Sequence, residues 1–268
     1  MKFLEILQKA IVCKWSDIHL TTDKNIYYRQ NNKLNIWEDE FFTREDFREV
    51  IENTLNETQK ILFRQNKVID YAYEFNNRRF RINIYMIYKG YGMAIRLIND
   101  NVKPIENFYQ QKVLRDILHN DNGLILICGA TGTGKSTTLA SMIEYINQNK
   151  SKHIITLEEP IEYVFTNKKS LIHQREYHVD FENFSEAIKM AMRQDPDVIM
   201  VGEIRDTETM KACLNAAETG HLVLGTLHAS SVIEAIIRME SFFNQEQIEA
   251  ISMQIASSLN SIIIQKLI

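Results

Sequence analysis

The chain has 268 residues, of which 45% are hydrophobic and 25% charged, which is typical of a globular protein long enough for two domains. Its net charge of -4 provides no basic field for nucleic acid, so we expect no nucleic-acid partner. Three widely spaced cysteines argue against a disulfide framework or a structural zinc site, and no apolar run reaches transmembrane length. We therefore expect a cytoplasmic protein that meets a membrane only through a partner.

Residues 1–98 are predicted to form a small α+β domain. Its clearest element is a hairpin over residues 68–88 that turns at two asparagines. The second strand of this hairpin alternates in polarity, so one face is predicted to be buried, namely Phe80, Ile82, Ile84 and Met86. The opposite face carries Arg81, and the last strand of the domain carries Arg96. Pattern alone indicates that both arginines belong to solvated strand faces.

A polar stretch over residues 99–110 contains one of only three prolines and is predicted to be the linker. Over residues 111–268 strands and helices alternate, which predicts an α/β domain with a parallel sheet. Short apolar runs at residues 124–128 and 198–201 are typical of strands that are buried on both faces.

The second domain contains the pattern of a phosphate-binding loop, between a buried strand and an amphipathic helix. Backbone N–H groups in such a loop surround phosphate oxygens, and the helix N-terminus adds a favourable dipole. Lys135 is placed to reach the terminal phosphates, and the Ser136 hydroxyl to ligate Mg²⁺ beside ATP. The predicted nucleotide-binding residues are Gly129, Ala130, Thr131, Gly132, Thr133, Gly134, Lys135, Ser136 and Thr137.

Three further motifs follow strands of the same sheet, at the edge where parallel sheets bind ligands. Glu203 follows the apolar run at residues 198–201, in the position of a Walker B acid that lies near magnesium. The alternative is that Glu203 caps a helix. An acidic cluster at residues 158–162 supplies either a carboxylate that directs the attacking water or a solvated charge run. His228 ends a third strand, where a γ-phosphate contact and a structural role are both open.

Taken together, four motifs in order resemble the Walker A, Asp box, Walker B and His box of type II/IV secretion-system ATPases. The motifs are residues 129–137, 156–162, 198–203 and 220–228. The likeness extends forward through the first domain and so covers nearly the whole chain. It implies an α/β protein with a PAS-like N-terminal domain and a RecA-like P-loop ATPase domain. It also implies a homo-hexameric ring with nucleotide between the two domains.

The same resemblance implies a role for each candidate site residue. Glu162 would be the catalytic glutamate, Glu203 the acid that holds magnesium through water, and His228 the γ-phosphate contact. Arg81 and Arg96 would be arginine fingers from the N-terminal domain. The ring would transmit domain rotation to a platform protein, at the cytoplasmic face of the inner membrane.

The likeness is strongest to members that retract type IV pili in twitching motility, so retraction is the favoured function. Assembly, type II secretion or competence is the alternative within the family, although the four-cysteine zinc motif common in assembly ATPases is missing. A regulatory module that binds ATP without motor activity is the alternative of another class. Glu159 stands where the family usually has aspartate, and Lys89 stands where an arginine is common. Relatives continue into further helices beyond the position of residue 268, which indicates a short C-terminal end.

Overall fold

The computed structural model describes residues 2–31, 33–98 and 102–266. The chain divides into two compact units, Met1–Asp100 and Asn101–Ile268. The linker predicted over residues 99–110 lies partly outside the described residues, at 99–101. Its later part contains a 3-10 helix, Ile105–Asn107, whose Ile105 is buried in the core of the second unit.

The described residues of the first unit form a six-stranded antiparallel sheet with three helices. Its elements are α1 (Lys2–Cys13), β1 (Asp17–Thr21), β2 (Lys24–Gln30), β3 (Lys33–Phe42), α2 (Arg44–Thr54), α3 (Glu57–Asn66), β4 (Val68–Phe75), β5 (Arg78–Ile87) and β6 (Gly90–Leu97). The strand order is β3-β2-β1-β6-β5-β4. The predicted hairpin is confirmed as β4 and β5, and the smaller α+β domain is present.

Alternation along β5 explains how this sheet packs. Phe80, Ile82 and Ile84 are fully buried in the core that α1, α2 and α3 also enter. The prediction for Met86 is wrong, because its side chain is 50% exposed at the end of β5, beside the turn into β6. The polar face of the same strand carries Arg81.

The second unit is a six-stranded parallel sheet. Its elements are α4 (Gln111–Ile117), β7 (Gly123–Cys128), α5 (Lys135–Asn149), β8 (His153–Glu158), β9 (Leu171–Glu176), α6 (Phe184–Ala191), β10 (Val198–Val201), α7 (Thr207–Glu218), β11 (Leu222–Leu227), α8 (Val232–Ser241), α9 (Ile248–Ser258) and β12 (Leu259–Ile264). The strand order is β12-β7-β11-β10-β8-β9, and every pair is parallel.

Helices cover both faces of this sheet. Leu124, Leu126 and Cys128 of β7 enter one core with α6, α7, α8 and α9, whereas Ile125 and Ile127 enter the other core with α4 and α5. Burial on both faces is why the strand is apolar at every position.

The register of the parallel strands brings their carboxyl ends to one edge. Cys128 of β7 pairs with Leu227 of β11, and Val201 of β10 lies between Leu157 of β8 and Gly225 of β11. Segments that follow β7, β8, β10 and β11 therefore start close together. Among the described residues, no helix is both long and apolar enough to cross a bilayer.

Candidate nucleotide site

The phosphate-binding loop joins β7 to α5 and is open at its tip. Gly132 and Gly134 have φ angles of 80° and 88°, in the left-handed region that side chains disfavour. Apart from Gly132 itself and its two chain neighbours, no atom of the described residues lies within 4 Å of the position that a Cβ at Gly132 would occupy. Ser136, in the first turn of α5, is exposed. The loop thus offers free space and a hydroxyl beside a helix N-terminus, which suits a phosphate group with its cation.

Lys135 folds back over the loop. Its Nζ donates to the carbonyl oxygens of Gly129 and Ala130, at 2.9 and 3.0 Å. Burial lowers the pKa of Lys135 below its ordinary value, against the opposing effect of nearby groups that include Glu203 and Glu162. A phosphate that enters the loop can replace the two carbonyl oxygens as the hydrogen-bond partner of the Lys135 amine.

Glu203 is held between two basic side chains. Arg205 Nη2 donates to its Oε2 at 2.8 Å, and His228 Nε2 lies 2.9 Å from its Oε1. Burial alone would raise the pKa of Glu203, but Arg205, His228 and Lys135 outweigh it and lower the pKa below its ordinary value. Glu203 is therefore a carboxylate at the end of β10.

Arg205, which is not among the site residues predicted from the sequence, joins two of the predicted motifs. Its Nη1 donates to Glu159 at 2.7 Å, while its Nη2 donates to Glu203. Its position two residues after the Walker B acid was the available signal. The pairing also separates Glu159 from its neighbours: Glu159 is ion-paired and exposed, Glu158 is buried, and Glu162 is half-buried.

Side chains of β8 and β9 hold the segment that carries Glu162. Gln174 Nε2 donates to the Tyr163 carbonyl at 2.7 Å, and its Oε1 accepts from the Phe165 N–H at 2.9 Å. The Glu158 carboxylate accepts from the Glu162 N–H at 3.4 Å. These bonds satisfy backbone groups that no ladder pairs, so this irregular segment keeps a defined path.

Glu158 is a buried carboxyl at the end of β8. Its Oε1 accepts hydrogen bonds from Thr156 Oγ1 at 2.7 Å and from Gln174 Nε2 at 3.0 Å. Burial raises the pKa of Glu158 to about 7, although these bonds favour the charged form. The group therefore titrates near neutral pH.

Glu158→Gln is expected to change the pH dependence of stability. The ordinary pKa is 4.5, so between that pH and about 7 the folded state holds a proton that the unfolded state has lost. Wild-type stability should then fall by about 2 to 3 kcal/mol from pH 5 to pH 8, and the variant should lack this component. Urea unfolding followed by circular dichroism measures this difference in stability. Tryptophan fluorescence would report on the first unit, because both tryptophans, Trp15 and Trp37, lie there. Parallel pH profiles for the two proteins would contradict the assignment.

The structure brings the predicted residues of the second unit together. Glu203 and Glu162 both act electrostatically on Lys135. The Tyr163 hydroxyl, next to Glu162, lies 3.0 Å from Thr137 Oγ1 at the start of α5. The loop and the three strand-end motifs therefore lie close together at one edge of the sheet.

Arg81 and Arg96 lie in the first unit, as direct neighbours on β5 and β6. Arg81 Nη2 donates to Asp70 at 2.7 Å, and Arg96 Nε donates to Asp17 at 2.8 Å. The four side chains line an open cavity of about 200 Å³ on the polar face of the sheet. Two carboxylates that the sequence analysis did not single out therefore balance the like charges of this arginine pair.

A phosphate-binding loop after a buried parallel strand, with acidic residues at neighbouring strand ends, defines a RecA-like P-loop ATPase unit. The chain belongs to the family of type II/IV secretion system proteins, whose sequence pattern matches residues 2–268.

Three relatives illustrate the match. The chain is 37% identical over 268 residues to the uncharacterized protein YggR of Escherichia coli, covering 100% of the chain and 81% of the relative. It is 40% identical over 225 residues to a twitching motility protein of Neisseria gonorrhoeae, covering 84% and 60%. It is 42% identical over 220 residues to the type IV pilus retraction ATPase PilT of Pseudomonas aeruginosa, covering 82% and 64%. The chain thus spans less than two thirds of the last two relatives.

Solved structures agree with the fold. The pilus retraction motor PilT with bound ADP has a TM-score of 0.91 at 41% identity, covering 99% of this chain and 78% of that one. The ATPase DotB of Legionella pneumophila also has a TM-score of 0.91, at 29% identity, covering 99% and 76%. The predicted fold class, a RecA-like domain with a smaller α+β domain, is confirmed.

Proposed function

We propose that this chain hydrolyses ATP with Mg²⁺ and that the energy drives the retraction of type IV pili. The observation that carries the proposal is the loop with Lys135, on which two carboxylates from neighbouring strand ends act. The similarity to retraction ATPases at 40% and 42% identity supports the choice of retraction within the family.

The residues of the site suit the steps of phosphoryl transfer. Lys135 and the loop N–H groups, residues 129–137, bind and neutralise the phosphates, and Ser136 ligates magnesium, with Glu203 acting on it through water. Magnesium, when bound, polarises the phosphate oxygens. Glu162 orients the attacking water and accepts its proton. His228, fixed by Glu203 at 2.9 Å, contacts the γ-phosphate.

The first unit contributes to ATP hydrolysis as a separate domain. In this proposal the PAS-like domain covers residues 1–98, the linker residues 99–110, and the ATPase domain residues 111–268. Chains assemble as a homo-hexamer, and Arg81 and Arg96 supply positive charge to the transition state as arginine fingers. Their pairing with Asp70 and Asp17 keeps the guanidinium groups ordered when no nucleotide is near.

Arg81→Ala and Arg96→Ala are expected to lower ATP turnover at least about tenfold, because charge that forms only in the transition state loses its partner. ATP affinity should stay within about twofold, since ground-state binding is supplied by the loop. Arg48→Ala is the matched control, since Arg48 is an exposed arginine of the same unit in a single ion pair with Glu45. Phosphate release and calorimetric titration measure the two quantities. Affinity losses as large as the turnover losses would make these arginines ground-state ligands.

The motor is proposed to act in the cytoplasm, at the cytoplasmic face of the inner membrane, on a pilus platform protein. Deletion of the gene, scored for surface pili and twitching, tests the direction of the motor. Hyperpiliated cells that do not twitch are expected for retraction. Cells without pili would instead assign the chain to assembly, and normal pili with normal twitching would contradict a motor role.

A further inference from the structure

Gln265 follows β12 directly and lies against the phosphate-binding loop. Its backbone N–H donates to the Cys128 carbonyl at 2.8 Å, which continues the pairing of β12 with β7. Its side-chain Nε2 donates to the Thr133 carbonyl at 2.8 Å. Its Oε1 accepts from Thr138 Oγ1, also at 2.8 Å. One amide group therefore joins the loop to the first turn of α5.

The main chain of the loop and Gln265 are in close contact. A Cβ at Gly129 would stand 2.5 Å from the Gln265 carbonyl oxygen, and a Cβ at Gly134 would stand 3.1 Å from Gln265 Nε2. These two glycines therefore leave room for Gln265 as well as for the turn. The amide reaches the loop from the side of β12.

The bond to the Thr133 carbonyl orients the peptide between Thr133 and Gly134. In a trans peptide the C=O and N–H groups point in opposite directions. An oxygen held toward Gln265 therefore turns the Gly134 N–H away from it, and loop N–H groups are the donors that bind phosphate. We propose that Gln265 is a positioning residue of the phosphate-binding loop, which aims the Gly134 N–H at the nucleotide before it binds.

The side-chain bonds of Gln265 add to an attachment that already exists. Backbone pairing along β12 joins this strand to β7, so the strand stays in place when the side-chain amide is removed. Nucleotide affinity and the stability of the free protein should therefore respond differently. The inference rests on the loop as the nucleotide site and not on pilus retraction.

Gln265→Met tests the proposal, because it removes both side-chain hydrogen bonds and keeps the volume. The Kd for ADP with Mg²⁺, measured by calorimetry on the full chain, is expected to rise about tenfold, as for one or two lost hydrogen bonds. Gln254→Met is the matched control. Gln254, on α9, also makes two side-chain hydrogen bonds, both donated by its Nε2, to Asn215 and Glu218. The two variants are expected to have similar melting temperatures without nucleotide and different ADP affinities.

An unchanged Kd in Gln265→Met would overturn the proposal. So would a Kd increase accompanied by a larger loss of nucleotide-free Tm than in Gln254→Met, because the role would then be structural. Thr138→Val removes the partner of Gln265 Oε1 and should weaken ADP binding by a smaller factor. If Gln265→Met does not fold, Thr138→Val tests the proposal by itself, and an unchanged ADP affinity in Thr138→Val would contradict it. The double variant should bind about as well as Gln265→Met, whereas multiplied losses would show independent effects.

Failure of this inference is distinguishable from failure of the site itself. Lys135→Ala reports whether ADP binds in the loop at all. If Lys135→Ala abolishes binding and Gln265→Met does not change it, the loop remains the nucleotide site and only the role of Gln265 is wrong.

Discussion

Lys135→Ala is expected to lower the affinity for ATP and ADP by more than about 100-fold, the loss typical of removing one member of a buried charge pair. The amine that now bonds to the Gly129 and Ala130 carbonyls is the cation that reaches the phosphates. Its loss leaves residues 129–137 without a cationic side chain for the phosphates. Calorimetric titration with ADP and Mg²⁺ measures the change, and ATP turnover should fall to background.

Lys189→Ala is the matched control for this variant. Lys189 lies on α6 of the same unit and makes one ion pair, with Glu186 on the surface. Its alanine variant should bind ADP as the wild type does. Wild-type affinity in Lys135→Ala would show that nucleotide binds elsewhere, and the assignment of the loop would be wrong.

Glu162→Gln is expected to lower turnover by about 10²- to 10⁴-fold, the usual contribution of a general base. The amide keeps the size of the side chain but does not accept the proton of the attacking water. The backbone path should persist, because the Glu162 N–H still donates to Glu158 and Gln174 still holds the neighbouring Tyr163. ADP affinity should therefore stay within about twofold of the wild type.

Phosphate release, compared with that of Glu249→Gln, tests the role of Glu162. Glu249 is an exposed carboxylate on α9, and its variant should turn over ATP at the wild-type rate. Full activity in Glu162→Gln would remove Glu162 from the mechanism. Background activity in the wild type and Glu162→Gln alike would favour a regulatory module that binds ATP without turnover.

The sequence predicted the parts of this site whose residues lie close together along the chain. The loop, the strand before it and the helix after it are contiguous, and each acidic motif follows its own apolar strand. Periodicity is a short-range signal, so β5, β7 and α7 were accessible to it. The parallel α/β sheet of the second unit followed from the alternation of such elements, whereas the RecA-like and PAS-like assignments followed from the resemblance to type II/IV secretion-system ATPases.

Contacts between distant segments could not be predicted in the same way. Gln174 lies on β9, a strand of mixed polarity that the sequence analysis did not predict, and it holds Glu162 only because β9 pairs with β8. Gln265 meets Thr138 across 127 positions of the chain. The pKa of Glu158 is raised because the folded chain buries its carboxyl group. From the sequence, Glu158 was one member of a uniformly acidic cluster.

The most direct test of the account is complementation of a strain that lacks this gene, with pilus retraction as the measured quantity. The wild-type allele should restore retraction and twitching. Lys135→Ala and Glu162→Gln, at equal protein level, should restore neither, because both remove ATP turnover at this site. Normal retraction with the Lys135→Ala allele would contradict the claim that ATP turnover in this loop powers retraction.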